Sequence, residues 1–166
     1  MRSPSHQLQY PSHIIVMSQT PTAEELAAAH ATIYAAGIAM RRAVVGPAHV
    51  ERSLANASEF SMPIQDLVTE ACWGQIWTRP GLDRKIRSFI NMAMLCALNR
   101  SPELALHVRG AVANGATEDE IREVLLQVAV YCGMPAGLEG TKVADRVLGE
   151  IRKENGQKET EKHKGE

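Results

Sequence analysis

The sequence predicts an all-α protein, a compact bundle of about six to seven helices, and three observations predict it. Apolar residues recur at helical spacing almost throughout residues 22–151. Capping signatures and Pro/Gly stops punctuate them. Nowhere do β-branched residues alternate with polar ones over a strand length, and no repeat of solenoid length is evident.

The elements follow in order. Residues 1–20 form a polar opening with Pro4 and Pro11, expected to be a disordered extension; Met17 is a possible alternative start. Thr22 can cap a helix and Glu25 can close its capping box, so the first helix runs from Thr22 to about Val45 and stops at Gly46-Pro47. Ala48 to Ala57 makes a shorter helix. Pro63, at a first-turn position, opens a helix reaching Trp77, and Arg79-Pro80-Gly81 has the order of a type II turn. Asp83 caps a helix to Leu98. Ser101 with Pro102 starts another to Asn114, where Gly115 is a natural stop. Thr117 and Glu120 form a second capping box whose helix ends at Gly133, and Pro135 starts the last helix, ending near Ile151. The single helical domain therefore spans 21–152, and 153–166, which has no apolar residue, is expected to be a disordered charged tail.

The 166 residues amount to 18.1 kDa, and a chain of this mass buries about two thirds of its unfolded surface, enough for a core without staples. Eighteen Lys and Arg against 19 Asp and Glu argue against a surface built to hold nucleic acid. The longest apolar stretch, Met92 to Leu98, is far short of the roughly 20 residues that span a bilayer. Residues 1–20 carry one Arg and no secretory apolar region, so a cytoplasmic location is expected. Cys72, Cys96 and Cys132 include no CxxC pair and no His at zinc-ligand spacing; they read as reduced, buried thiols, and no metal is expected.

Chemistry concentrates in three places. In the helix from Asp83, Ile86, Phe89, Ile90, Ala93, Met94 and Ala97 form a wide apolar face, while Arg84, Arg87, Ser88 and Asn91 form a polar stripe expected to line a cavity or an interface. Arg suits this place because its planar fork grips a carboxylate in two bonds at any working pH; the competing reading is an ion pair with a neighbouring Asp or Glu. His107 lies between Leu104 and Ala111 on the inward side of its helix, either a satisfied core histidine or a general acid–base. Arg109, two residues on, points elsewhere and reads as a surface ion pair. The third place is 72–82, with both tryptophans, Trp73 and Trp77, beside Gln75; Pro80 biases Arg79 to an extended conformation that projects its guanidinium.

These residues carry a resemblance. Trp-Gly-x-x-Trp-x-Arg-Pro-Gly-Leu-x-Arg (73–84), Arg87-Ser88, His107-Val-Arg-Gly-Ala111, Asn114-Gly-x-Thr-x-x-Glu-Ile-x-Glu-Val (114–124) and Gln127-x-Ala-x-Tyr-x-Gly-x-Pro-Ala136, taken in order, resemble the carboxymuconolactone decarboxylase family. The resemblance covers roughly 37–150. It implies an alkylhydroperoxidase-like helical fold, assembled as a homo-oligomer, trimer or hexamer. It also implies cofactor-independent decarboxylation of 4-carboxymuconolactone to the 3-oxoadipate enol-lactone in protocatechuate catabolism.

On that reading the conjugated lactone carbonyl takes the electron pair left by CO₂, so no cofactor is needed. Arg79 and Arg87 grip a carboxylate or the developing oxyanion. His107 delivers the proton, and Trp73, Gln75, Trp77, Ser88 and Asn91 shape the substrate pocket. Many family decarboxylases resemble a Glu site where Gln75 stands. Two alternatives accompany this reading: a related carboxylated lactone or β-keto acid, and an alkylhydroperoxidase-like redox protein. The redox centre of such proteins, Cys-x-x-Cys-x-x-x-His, would place its thiols at Arg100 and Glu103, where this chain has none.

Overall fold

The computed structural model describes residues 20–164, with side chains as far as Gln157. The expected N-terminal extension and the alternative start at Met17 lie outside the described residues, Thr20 apart. Among the described residues there are seven α-helices and no strand: α1 (Ala23–Val45), α2 (Pro47–Ala55), α3 (Met62–Leu67), α4 (Arg84–Ala97), α5 (Ser101–Ala113), α6 (Glu118–Cys132) and α7 (Met134–Lys164). Between α3 and α4 the helix continues without a break as a π-helical segment, Val68–Ile76.

The caps explain where the helices begin. Thr22 and Thr117 each accept a hydrogen bond from the backbone three residues on, and the Glu25 and Glu120 carboxylates accept one from the cap's own N–H, completing both boxes. The Asp83 carboxylate accepts from the Ile86 N–H at 2.8 Å. Gly115 (φ +88°) ends α5 in a Schellman turn, with the Ala116 N–H donating to Ala111 at 2.9 Å. Asn99 (φ +55°) does the same for α4: the Arg100 N–H donates to Leu95 at 2.8 Å, and α5 starts at once.

Several expectations are corrected. The helix opened by Pro63 changes from α to π after Leu67, with the Trp77 N–H donating to the Cys72 carbonyl five residues back. Gly81 is not in the left-handed region, so the turn at Pro80-Gly81 is not type II. The charged stretch expected to lose structure after residue 152 is instead helical to Lys164. Arg152 pairs with Glu118 of α6, Arg109 of α5 pairs with Glu150 and Glu154, and Lys and Glu favour helix where nothing opposes it. Of the three thiols only Cys96 is buried.

Two apolar cores hold the fold. The larger joins α4–α7 through Met92, Cys96, Leu104, Val108, Ile121, Leu125, Val143 and Val147 and their neighbours. Each large side chain there contributes about 1.5–3 kcal/mol by leaving water. The α4 face turned inward is Ser88, Met92 and Cys96, whereas Ile86, Ile90 and Met94 of the expected core face are exposed. The smaller core packs Val44, Val45 and Val50 of α1 and α2 with Trp73 and Trp77. Here α1 meets the π segment backbone to backbone: a Cβ on Gly37 would stand 2.1 Å from the Thr69 carbonyl oxygen, and one on Gly74 2.6 Å from that of Ile33. Only glycine admits such an approach. No helix among the described residues is long and apolar enough to cross a membrane.

Candidate active site

The smaller core contains the only ring stack formed with a titratable side chain among the described residues. Trp73 and Trp77, four residues apart at the end of the π segment, both turn inward and stack with centroids 5.0 Å apart. His107 reaches the same place from α5. Its imidazole lies 6.2 Å from the Trp73 ring, within 6° of parallel, and 6.1 Å from Trp77 at 22°.

His107 is 9% exposed, and its Nδ1 is buried without a hydrogen-bond partner. Burial alone pushes its pKa from 6.5 down to about 4, because the apolar rings penalise the charged form, so the imidazole is neutral at pH 7. A neutral ring with a bare nitrogen can take up a proton once an anion arrives beside it and release that proton again.

Two of the expected cations come together with each other. Arg87 of α4 reaches back across the turn and donates from Nη2 to the Arg79 carbonyl at 3.0 Å, while its Nε is buried and unpartnered. The Arg79 side chain is exposed. Neither guanidinium pairs with a carboxylate among the described residues, so both keep donors to offer. Arg109 pairs with Glu150 and Glu154 on the far side of its helix, as its spacing from His107 requires.

The remaining candidates divide. Asn91 is half-buried one turn beyond Arg87, and Gln75 is exposed on the outer side of the π segment. Ser88 is fully buried, but its hydroxyl is engaged twice, donating to the Arg84 carbonyl and accepting from Asn114 Nδ2, each at 3.0 Å. Asn114 lies seven residues beyond His107, about 10 Å along α5, so the structure does not bring Ser88 to the stack. At the two positions where the redox centre would carry its thiols, Arg100 and Glu103 form an ion pair at 2.6 Å.

Sequence reasoning passed over one residue, Arg41. It is 6% exposed on the inward stripe of α1, between Gly37 and Val44, and its guanidinium bonds only neutral groups: Thr69, Gln65 and Ser53. The available signal was an Arg one turn beyond a glycine on an otherwise apolar stripe. A hollow of about 480 Å³ lies elsewhere, between α6 and α7, with Ile121, Leu125 and Leu148 as its floor and Arg122, Lys142 and Asp145 at its rim. It is a surface groove, whereas unpaired buried nitrogens lie at His107 and Arg87.

The comparisons with known proteins identify the family. The chain is 43% identical over 135 residues to a nitrosuccinic acid decarboxylase of Metarhizium robertsii, covering 81% of this chain and 92% of that protein. It is 38% identical over 118 residues to the 4-carboxymuconolactone decarboxylase of Acinetobacter baylyi, covering 71% of this chain and 88% of the relative. The model of the carboxymuconolactone decarboxylase family matches residues 63–146, which take in the π segment, both tryptophans, Arg79, Arg87 and His107. An all-α chain with these relatives is a decarboxylase, a carboxy-lyase, and it belongs to the carboxymuconolactone decarboxylase family.

Proposed function

We propose that this enzyme decarboxylates a small dicarboxylic acid whose departing carboxylate stands beside a built-in electron sink, in the first place 4-carboxymuconolactone, yielding the 3-oxoadipate enol-lactone of protocatechuate catabolism. The observation that carries this is His107, a buried imidazole with a bare nitrogen, set beside two stacked tryptophans.

The C–COO⁻ bond breaks, its electron pair moves through the conjugated lactone carbonyl, and CO₂ leaves. The resulting dienolate takes one proton on carbon. The substrate's own carbonyl accepts the pair, so the step needs no cofactor. Arg79 and Arg87 have donors to spare for the retained carboxylate or the lactone oxygen. A cation gripping the departing carboxylate would oppose its loss.

His107, neutral in the empty protein, gains basicity as the substrate's negative charge enters its dry surroundings, takes a proton from solvent and delivers it to carbon. Trp73 and Trp77 exclude water, with Gln75 and Asn91 at the margin. Ser88 supports the site only indirectly, by closing α4 onto the end of α5.

A second substrate, nitrosuccinic acid, is favoured by the 43% identity to a decarboxylase of that acid. There the nitro group serves as the electron sink, and the protein's task is the same. CO₂ release from each acid in metal-free buffer, by wild type and by His107→Gln, tests the reading. Turnover of either acid that falls at least about 100-fold in the folded variant supports it. Absence of turnover on 4-carboxymuconolactone with turnover of nitrosuccinic acid moves the assignment to the second substrate, and wild-type turnover by the variant overturns the role of His107.

The same reading assembles the chain as a homo-oligomer, trimer or hexamer. It is supported by the exposed apolar line Ile86, Ile90, Met94 and Leu98 on α4 and by exposed Leu126, Val130 and Tyr131 on α6. Sedimentation of the wild type checks it; a monomer at micromolar concentration would remove it. A cytoplasmic location, a reducing compartment, fits three free cysteines.

A further inference from the structure

Arg41 is the buried charge that the chemistry above does not use. It sits 6% exposed in the smaller core with no carboxylate among its hydrogen-bond partners. Burying a cation among neutral groups is costly, and a well-packed apolar side chain generally holds helices together better. What an apolar side chain lacks is a planar fork with several fixed donor directions.

The positions the fork grips are informative. Nη2 donates to Gln65 Oε1 at 3.0 Å and to Ser53 Oγ at 3.3 Å, and Nη1 donates to Thr69 Oγ1 at 3.2 Å. Gln65 lies in α3 and Thr69 in the π segment, so one guanidinium holds both sides of the point where the helix changes from α to π between Leu67 and Val68. Thr69 is wholly buried, and Gly37, one turn before Arg41, backs onto its carbonyl. Trp73 follows Thr69 by four residues and Trp77 by eight, and these are the stacked rings that His107 lies against.

A π-helix is rare and weakly favoured on its own, and it persists only where tertiary contacts hold it. Relaxing Val68–Ile76 to 3.6 residues per turn would rotate both indoles about the helix axis and away from His107.

We propose that Arg41 is a positioning residue of this decarboxylase, its fork locking the α-to-π junction at Gln65 and Thr69 and so setting the Trp73–Trp77 stack against which His107 lies. It acts through the rings and does not touch the substrate. The proposal rests on the reading of His107 as the proton carrier only for its kinetic consequence; its structural consequence stands alone.

The test uses the full chain with Thr69→Val, which removes the acceptor and keeps the shape, Thr69→Ser, which restores it, and Arg41→Lys, which keeps the charge and loses the fork. Each is assayed where far-UV circular dichroism shows it folded. Thr69→Val and Arg41→Lys are expected to lose about 10- to 100-fold in kcat, the size of a misplaced catalytic group. KM should stay within about twofold, because no substrate contact is removed.

The same two variants are expected to lose the near-ultraviolet circular dichroism of the stacked tryptophans, and the NMR titration of His107 is expected to move up from about 4 toward 6.5 as the rings leave it. Thr69→Ser should keep all three signals. A Thr69→Val protein with wild-type tryptophan and His107 signals overturns the proposal, as does Arg41→Lys indistinguishable from wild type. Wild-type turnover in His107→Gln would instead overturn the proton-carrier reading, leaving the spectroscopic arm to decide on Arg41.

Discussion

The core of α4–α7 and the smaller core of α1, α2 and the π segment differ in what they bury. The first is apolar except for Ser88, whose hydroxyl is engaged on both sides by Arg84 and Asn114, and a Cys96 thiol that donates to the Ala136 carbonyl. The second buries Arg41 without a counter-charge and, at its seam with α5, His107 without a partner for Nδ1. Unsatisfied buried groups cost stability, so a protein carries them where they serve chemistry and recovers stability elsewhere. The larger core is that elsewhere.

This contrast can be broken by substitutions that separate turnover from stability. The largest effect is expected from His107→Gln, a loss of about 100- to 10,000-fold in kcat with little change in melting temperature, measured by CO₂ release beside a thermal scan. Leu104→Ala, one turn earlier on α5 but in the larger core, should do the reverse: about 2–5 kcal/mol of stability lost in urea unfolding, with kcat unchanged in the fraction still folded. If Leu104→Ala loses kcat as heavily as His107→Gln, the division of labour fails.

A pH series sharpens the comparison. His107 has a folded-state pKa of about 4 against 6.5 when unfolded, so between these values the unfolded chain binds more protons. Its contribution is therefore complete above about pH 6.5 and is lost as pH falls toward 4, by about 3 kcal/mol in all. His107→Phe should flatten that part of the stability curve, and an unchanged slope would place the histidine in water. Smaller still, Thr117→Ala removes one half of a capping box on α6 and should cost about 1 kcal/mol with no effect on kcat. Arg109→Ala, which breaks only exposed ion pairs, should fall below about 1 kcal/mol.

Legibility in the sequence followed the range of the interactions. Thr22, Asp83, Thr117 and Gly115 act within four or five residues of themselves, and each does what its position predicts. His107 was readable as inward-facing from Leu104 and Ala111. The inward face of α4 was misjudged because its apolar residues nearly encircle the helix, and only its neighbours select Ser88, Met92 and Cys96. The bond between Ser88 and Asn114 spans 26 positions and left no local trace. Arg41 was missed for the same reason: its partners lie 12, 24 and 28 residues away.

The sequence alone determined the class of fold, the starts of the capped helices, the family and the small set of His, Arg and Trp residues from which a decarboxylase could be built, because periodicity, capping and residue chemistry are properties of the chain itself. The tertiary structure decided that Val68–Ile76 winds as a π-helix, that both tryptophans close on His107, and that an uncompensated Arg41 holds the junction. Those outcomes depend on α1 pressing its backbone against the segment through Gly37 and Gly74, a contact between residues some 30 to 40 positions apart that no local preference encodes.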